Sequence, residues 1–212
     1  MILAVDAGTR SSHYGKLLAE PGSFERLIAA VEQQLAAVTT RADAHVAHVA
    51  ISSWSAGYAA VSRALAQSPR RAGAVILLDS LYASYAANQR DIARGALDPY
   101  IAAAEAAARG GPPFYLSHSG VRTDGYASTS EVATALLDGI GATSVAVSGD
   151  VEGDDEDEVQ PQPQHAPLRL VRMYDAGRLV IRGYAGAGPD DHCAHLRLLK
   201  RALTEDVLPA FR

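Results

Sequence analysis

A second cysteine is missing from this chain. Cys193 stands alone, which excludes an internal disulfide and a cysteine-rich zinc site and is compatible with a reducing compartment. An excess of basic residues is missing too. The 24 Asp and Glu outnumber the 19 Lys and Arg, for a formal net charge of −5, and no basic stripe exists to neutralise phosphates, so nucleic acid is not expected as a partner. Apolar runs such as Ala72 to Leu78 are far shorter than the roughly 20 residues a spanning helix needs, so no membrane span is expected. The N-terminus lacks a basic leader, a long apolar stretch and a cleavage site; as written, the chain is expected to be cytoplasmic.

What is present suits one soluble domain: 212 residues with 48% apolar and 20% charged content, enough to bury a sizeable core. Six acids in the seven positions Glu152 to Glu158 supply much of the negative charge. That run lacks the alternating ligands and central turn of a calcium loop, so it reads as a solvated insert, and neither a metal nor a cofactor is expected. The stretch 149–167, acidic and then rich in Gln and Pro, is too polar to order itself and is expected to be a mobile loop.

Along the chain, strand and helix patterns alternate. Ile2 to Val5 reads as a buried strand closed by Asp6-Ala7-Gly8. Ser23 caps a predicted helix with Phe24, Leu27, Ile28, Val31 and Leu35 on one face. Val46 to Ile51 is a strand pattern that breaks at Ser52-Ser53 and leads into a helix over Tyr58 to Ala66. A third strand, Ala74 to Leu78, ends at Asp79; alanine-rich segments around Leu81 to Ala93 and Pro99 to Arg109 look helical. Phe114 to Leu116 is a fourth strand ending at Ser117-His118-Ser119, followed by a helix that Ser128, Thr129 or Ser130 would cap, and Thr143 to Val147 is another short strand pattern. Leu168 to Tyr174 and Arg178 to Tyr184 flank Asp175-Ala176-Gly177 as a hairpin, and His192 to Leu208 forms a last helix. The expectation is an α/β domain, a mainly parallel sheet with helices on both faces and one antiparallel strand near the C-terminal edge.

In such a sheet the reacting groups collect beyond the carboxyl ends of the strands. Ser53-Trp54-Ser55-Ala56-Gly57 follows a strand and opens a helix, the setting of a nucleophile elbow. Small residues at Ser53 and Gly57 meet the steric demand of so sharp a turn. Ser55 is then the nucleophile, with the Ala56 N–H as an oxyanion donor. The bland alternative is a polar strand-to-helix loop. After the last strand, Gly186-Ala187-Gly188-Pro189-Asp190-Asp191-His192 delivers a histidine to a helix start, making His192 the candidate base and His195, one turn later, a packing or surface residue. Asp79 is the preferred acid, because a carboxylate ending an apolar strand needs a partner; Asp124 is the alternative, with an Asp-Gly turn as its bland role. Trp54, Tyr58, Tyr82 and His118 are candidate substrate contacts, the aromatics being equally at home in a core.

The order Ser55, Asp79 or Asp124, His192 is that of the α/β-hydrolase superfamily. The segments Ser53 to Tyr58, Leu77 to Tyr82, Tyr126 to Thr129 and Asp191-His192 resemble a group of bacterial α/β-hydrolase-like proteins over most of the chain. The resemblance implies a serine hydrolase, esterase-like, acting on a small ester or amide, and fixes no substrate. It also implies further strands before the elbow, one carrying a loop whose N–H completes the oxyanion hole. Only one β-α unit precedes the elbow here. Either Ile2 to Val5 takes that neighbouring place, with Gly8 or Thr9 as second donor, or the chain lacks an N-terminal portion. The competing expectations are a non-catalytic hydrolase-fold binding module and a doubly wound protein that binds an anion at the serine-rich turn.

Overall fold

A computed structural model describes residues 2–88, 91–148, 151–152 and 168–211. Seven strands lie in it: β1 (Ala50–Trp54), β2 (Ala74–Leu78), β3 (Phe114–His118), β4 (Val145–Ala146), β5 (Val151–Glu152), β6 (Leu168–Ala176) and β7 (Leu179–Tyr184). The sheet order is β1-β2-β3-β7-β6-β4, with β5 also on the outer edge of β6. β1, β2, β3 and β7 are parallel, and β6 runs against β7 across the turn at Gly177. The architecture is α/β with a mostly parallel sheet.

Burial explains the strand order. Ala74-Val75-Ile76-Leu77-Leu78 is apolar at every position and buried at every position, as an interior parallel strand covered on both faces must be. Alternate residues feed two cores. Val75, Leu77, Phe114, Leu116, Leu179 and Ile181 face one core, covered by α3 (Tyr58–Gln67), α4 (Asp98–Ala108) and α5 (Thr129–Gly139). Ile76, Leu78, Tyr115 and Tyr184 face the other, covered by the C-terminal helical run that begins with α6 (Pro189–Ala194) and α7 (Leu198–Arg201). The latter run is not one regular helix: it passes through 3-10 and π turns before ending at Phe211. Two further helices precede β1. In chain order they are Ser11–Leu17 and Ser23–Thr39, and the second packs Phe24 and Ile28 on Ala64 of α3.

Four local expectations are corrected. Residues 2–5 form no strand; Ile2, Leu3 and Val5 are exposed, so β1 is the sheet edge. An apolar run becomes a strand only where a neighbour accepts its hydrogen bonds. The strand expected at 46–51 lies at Ala50–Trp54 and reaches the elbow itself, because Val49 ends in a loop whose carbonyl receives Gly73 and Ala74. Residues 81–88 and 91–93 are irregular, held by bridges between Ala83 and Ala127 and between Tyr85 and Ile92; long-range pairing overrides alanine's helix preference. Ser23 does not cap its helix. Gly22, at φ 73, takes that position, and the Ser23 hydroxyl turns to Gln67. The loop expected at 149–167 falls largely outside the described residues, apart from Val151–Glu152, which pairs with β6.

Because β1, β2, β3 and β7 are parallel, their carboxyl ends open on one rim. Ser55, Asp79, Ser119 and the 185–188 segment that leads to α6 therefore converge there.

Candidate active site

The elbow is built from β1 and the start of α3. Trp54 is extended, Ser55 turns to φ 53, and residues 55–57 make one 3-10 turn before α3. A left-handed backbone at a non-glycine residue is held at a cost on the order of 1–3 kcal/mol and concentrates at functional positions. Gly57 shows what the turn demands: a Cβ there would stand 3.0 Å from the Cβ of Ser53. Serine at 53 and glycine at 57 leave just enough room.

Hydroxyls lock the turn to β2. Ser80 Oγ donates to the Ser55 carbonyl at 2.8 Å, which uses its one hydrogen. The 2.8 Å contact between Ser53 and Ser80 must then have Ser53 as donor. Ser80 is fully buried.

Asp79 is the second non-glycine residue on this rim with a positive φ, 42. Its carboxylate is fully buried and accepts four hydrogen bonds: from Ser119 N–H (2.9 Å), Ser119 Oγ (2.6 Å), Thr129 Oγ1 (2.5 Å) and His192 Nδ1 (2.7 Å). Burial alone would raise its pKa. The bonds from His192, Ser119 and Thr129, with the nearby His195, outweigh that and hold the carboxyl well below the usual carboxylate range. An ionised carboxylate only accepts, so Nδ1 of His192 carries a hydrogen, and in the neutral ring Nε2 presents the lone pair. That is the tautomer of a general base.

His192 is held from its other side as well. Its ring stacks on the Trp54 indole, centroids 4.9 Å apart at 27°, and Trp54 Nε1 donates to the His192 carbonyl at 3.2 Å. The imidazole thus rests on the residue immediately before Ser55. In the first turn of α6, Gly188 N–H donates to Asp191 at 2.8 Å with Pro189 at the helix start, fixing where His192 emerges. Among the described residues no hydrogen bond joins the Ser55 and His192 side chains. Such bonds often tighten only around a bound reactant.

The other candidates separate clearly. Asp124 is exposed beside Gly125, itself at φ 81, in an Asp-Gly turn. His195 is fully buried, with Nδ1 2.8 Å from Ser117 Oγ, its ring edge-on to Tyr184, and Nε2 without a hydrogen-bond partner among the described residues. Burial pushes its pKa down to about 4, against a pull from Asp79, so it stays neutral near pH 7. Ala56 N–H lies in the first turn after the elbow, where no intrahelical acceptor exists. Gly8 differs: its N–H donates to Asp6 Oδ1 at 2.8 Å, and Thr9 is exposed. Tyr58 and Tyr82 approach at 5.6 Å, and Tyr82 meets the exposed Tyr126 at 5.6 Å, so an aromatic row leads away from the elbow. His118 belongs elsewhere, in a cavity on the α5 side that no elbow residue lines.

Ser119 and Thr129 are the supporting residues that sequence reasoning did not assign. Thr129 sits one place past the true cap, Ser128, whose N–H and hydroxyl both reach Glu131. The sequence signal was the Ser128-Thr129-Ser130 triplet, in which one hydroxyl caps and its neighbour is left for the acid.

No protein-family model, curated protein or solved structure matches the chain. Among the described residues no helix is long and apolar enough to cross a membrane.

Proposed function

We propose that this chain is a serine hydrolase of the α/β-hydrolase type, cleaving an ester or amide through an acyl-enzyme on Ser55. The observation that carries the reading is the ionised Asp79 bound to His192 Nδ1, with the imidazole stacked on Trp54 beside a serine at positive φ. Those groups follow one another in the order Ser, acid, His at the ends of parallel strands, as this superfamily arranges them.

In the reaction, His192 Nε2 removes the Ser55 hydroxyl proton as Oγ bonds to the substrate carbonyl carbon. Ala56 N–H donates to the oxyanion that forms. When the carbonyl reforms, the bond to the leaving alcohol or amine breaks and His192 returns its proton to that group. Water then repeats the sequence, releasing the acid and restoring Ser55. Asp79 keeps the proton-bearing Nδ1 directed away from the serine throughout. Trp54, Tyr58 and Tyr82 supply apolar surface for the substrate.

One observation favours a second reading, a hydrolase-fold binding module without turnover. Gly8 N–H is held by Asp6, leaving Ala56 as the candidate donor, and loss of one oxyanion donor lowers turnover by about 10²–10³. A pre-steady-state experiment with p-nitrophenyl acetate separates the two. The hydrolase releases about one equivalent of p-nitrophenol per chain in a burst that Ser55→Ala abolishes; a folded chain with no burst and no Ser55-dependent turnover is the binding module.

A further inference from the structure

A cavity of about 300 Å³ lies on the α5 side of the sheet, and its lining is chemically mixed. That volume is at the lower end for small-molecule sites, roughly 300–1,000 Å³. Its wall includes His118 at the end of β3, Glu131 on α5, Arg172 and Met173 on β6, Ser144, and Gly183 on β7.

His118 is the informative residue. It is 9% exposed, and its Nδ1 lies 3.3 Å from the Ser119 carbonyl, which can only accept. Nδ1 therefore carries the hydrogen and Nε2 presents a bare lone pair. That nitrogen has no hydrogen-bond partner among the described residues. The ring lies so close over β7 that a Cβ on Gly183 would fall 2.7 Å from Nε2, so glycine at 183 keeps this nitrogen open to the cavity. Burial lowers the pKa of His118, more than the Ser119 carbonyl and Asp79 raise it, which keeps the ring neutral and an acceptor.

The charged groups complete a pattern. Glu131 is held as an anion by Ser128 and also accepts from Tyr85. Arg172 is exposed at the rim, its Nε on Ser144 Oγ at 2.9 Å. One cation, one anion, one neutral acceptor and an apolar patch including Met173 and Ile181 match a ligand with both charges and an aliphatic body.

We propose that this cavity binds a small zwitterion of the α-amino-acid class, its carboxylate on Arg172, its ammonium between His118 Nε2 and Glu131, and a branched aliphatic side chain on the apolar patch. The site stands apart from Ser55 and does not depend on the hydrolase reading. It touches the acid's supports all the same: Ser119, whose carbonyl receives His118, and Thr129, the neighbour of Ser130 in the cavity wall, both hold Asp79.

Calorimetric titration with L-leucine tests this, using wild type and Ser55→Ala so that binding is read without turnover. The expected result is saturable binding at one per chain in both. Leucinamide, lacking the carboxylate, and 4-methylpentanoate, lacking the ammonium, should each bind at least about tenfold more weakly. Arg172→Gln, an exposed change, should weaken leucine about tenfold while leaving the melting temperature unchanged. No saturable leucine binding, or equal binding by either analogue or by Arg172→Gln, overturns the proposal. Binding in wild type that vanishes in Ser55→Ala also overturns it, since the ligand would then occupy the elbow.

Discussion

Replacing Asp79 with Asn tests the tautomer argument with almost no change of shape. The carboxylate accepts from four donors. An amide offers one acceptor oxygen and two N–H groups, so it cannot serve all four. The oxygen would stay with Ser119 N–H and Thr129 Oγ1, which share Oδ1 now, leaving the NH₂ toward His192. His192 Nδ1 must then accept, which moves the ring hydrogen to Nε2 and removes the lone pair that the proposed mechanism uses as its base. A wrong-tautomer histidine lowers catalytic rate by about 10⁴, equivalent to about 5 kcal/mol of barrier. Stability should fall less, by about 1–3 kcal/mol for buried donors left without an acceptor. The sign of the pH effect is also set. Asp79 titrates below its ordinary value of 3.8 in the folded chain, so its stabilisation is complete above that pH and is lost as pH falls below it; the variant lacks this acid-side loss. The assay is the second-order rate of Ser55 modification by a fluorophosphonate, alongside urea unfolding of the same samples. Modification of folded Asp79→Asn within about threefold of wild type would show that Asp79 does not set the His192 tautomer.

Two other outcomes follow from the geometry. Gly57→Val puts a branched side chain where even a Cβ lies 3.0 Å from Ser53; overpacking of this kind should destabilise by about 1–3 kcal/mol and disrupt the elbow, read as lost modification of Ser55 in protein that still melts cooperatively. His195 titrates at about 4 when folded and near 6.5 when unfolded, so the unfolded chain takes up its proton first. Stability attributable to it is complete above pH 6.5 and falls as pH drops toward 4, by on the order of 3 kcal/mol. Urea unfolding at pH 7.5 and 4.5 should show that loss in wild type and a smaller one in His195→Phe.

Legibility differed between local and long-range features. β2 is readable because an unbroken apolar run of five residues can sit only between two covered faces. The elbow is readable because steric limits at Ser53 and Gly57 are local, and the helix start is readable to within the Ser128-Thr129-Ser130 triplet, of which Ser128 is the cap. Residues 2–5 carry the same kind of pattern as β2 yet stay out of the sheet, since a strand requires a partner that its own sequence cannot specify. Residues 81–93 look helical by composition, but Ala83 pairs with Ala127 over forty positions away. The acid showed the same division. That Asp79 needed a partner followed from its place after an apolar strand; that Ser119 and Thr129 would share it with His192 depends on β3 and α5 meeting β2 in space. His118 read as a rim residue because it ends a strand, whereas strand alternation turns its ring toward α5 and away from the elbow.

The proposed mechanism requires Ser55 to be a nucleophile activated by His192. The direct measurement is fluorophosphonate treatment of the folded chain followed by peptide mass mapping. The expected result is a single adduct on Ser55, absent in Ser55→Ala and strongly reduced in His192→Ala. Folded wild-type protein that forms no adduct, or one located on another serine, would contradict it.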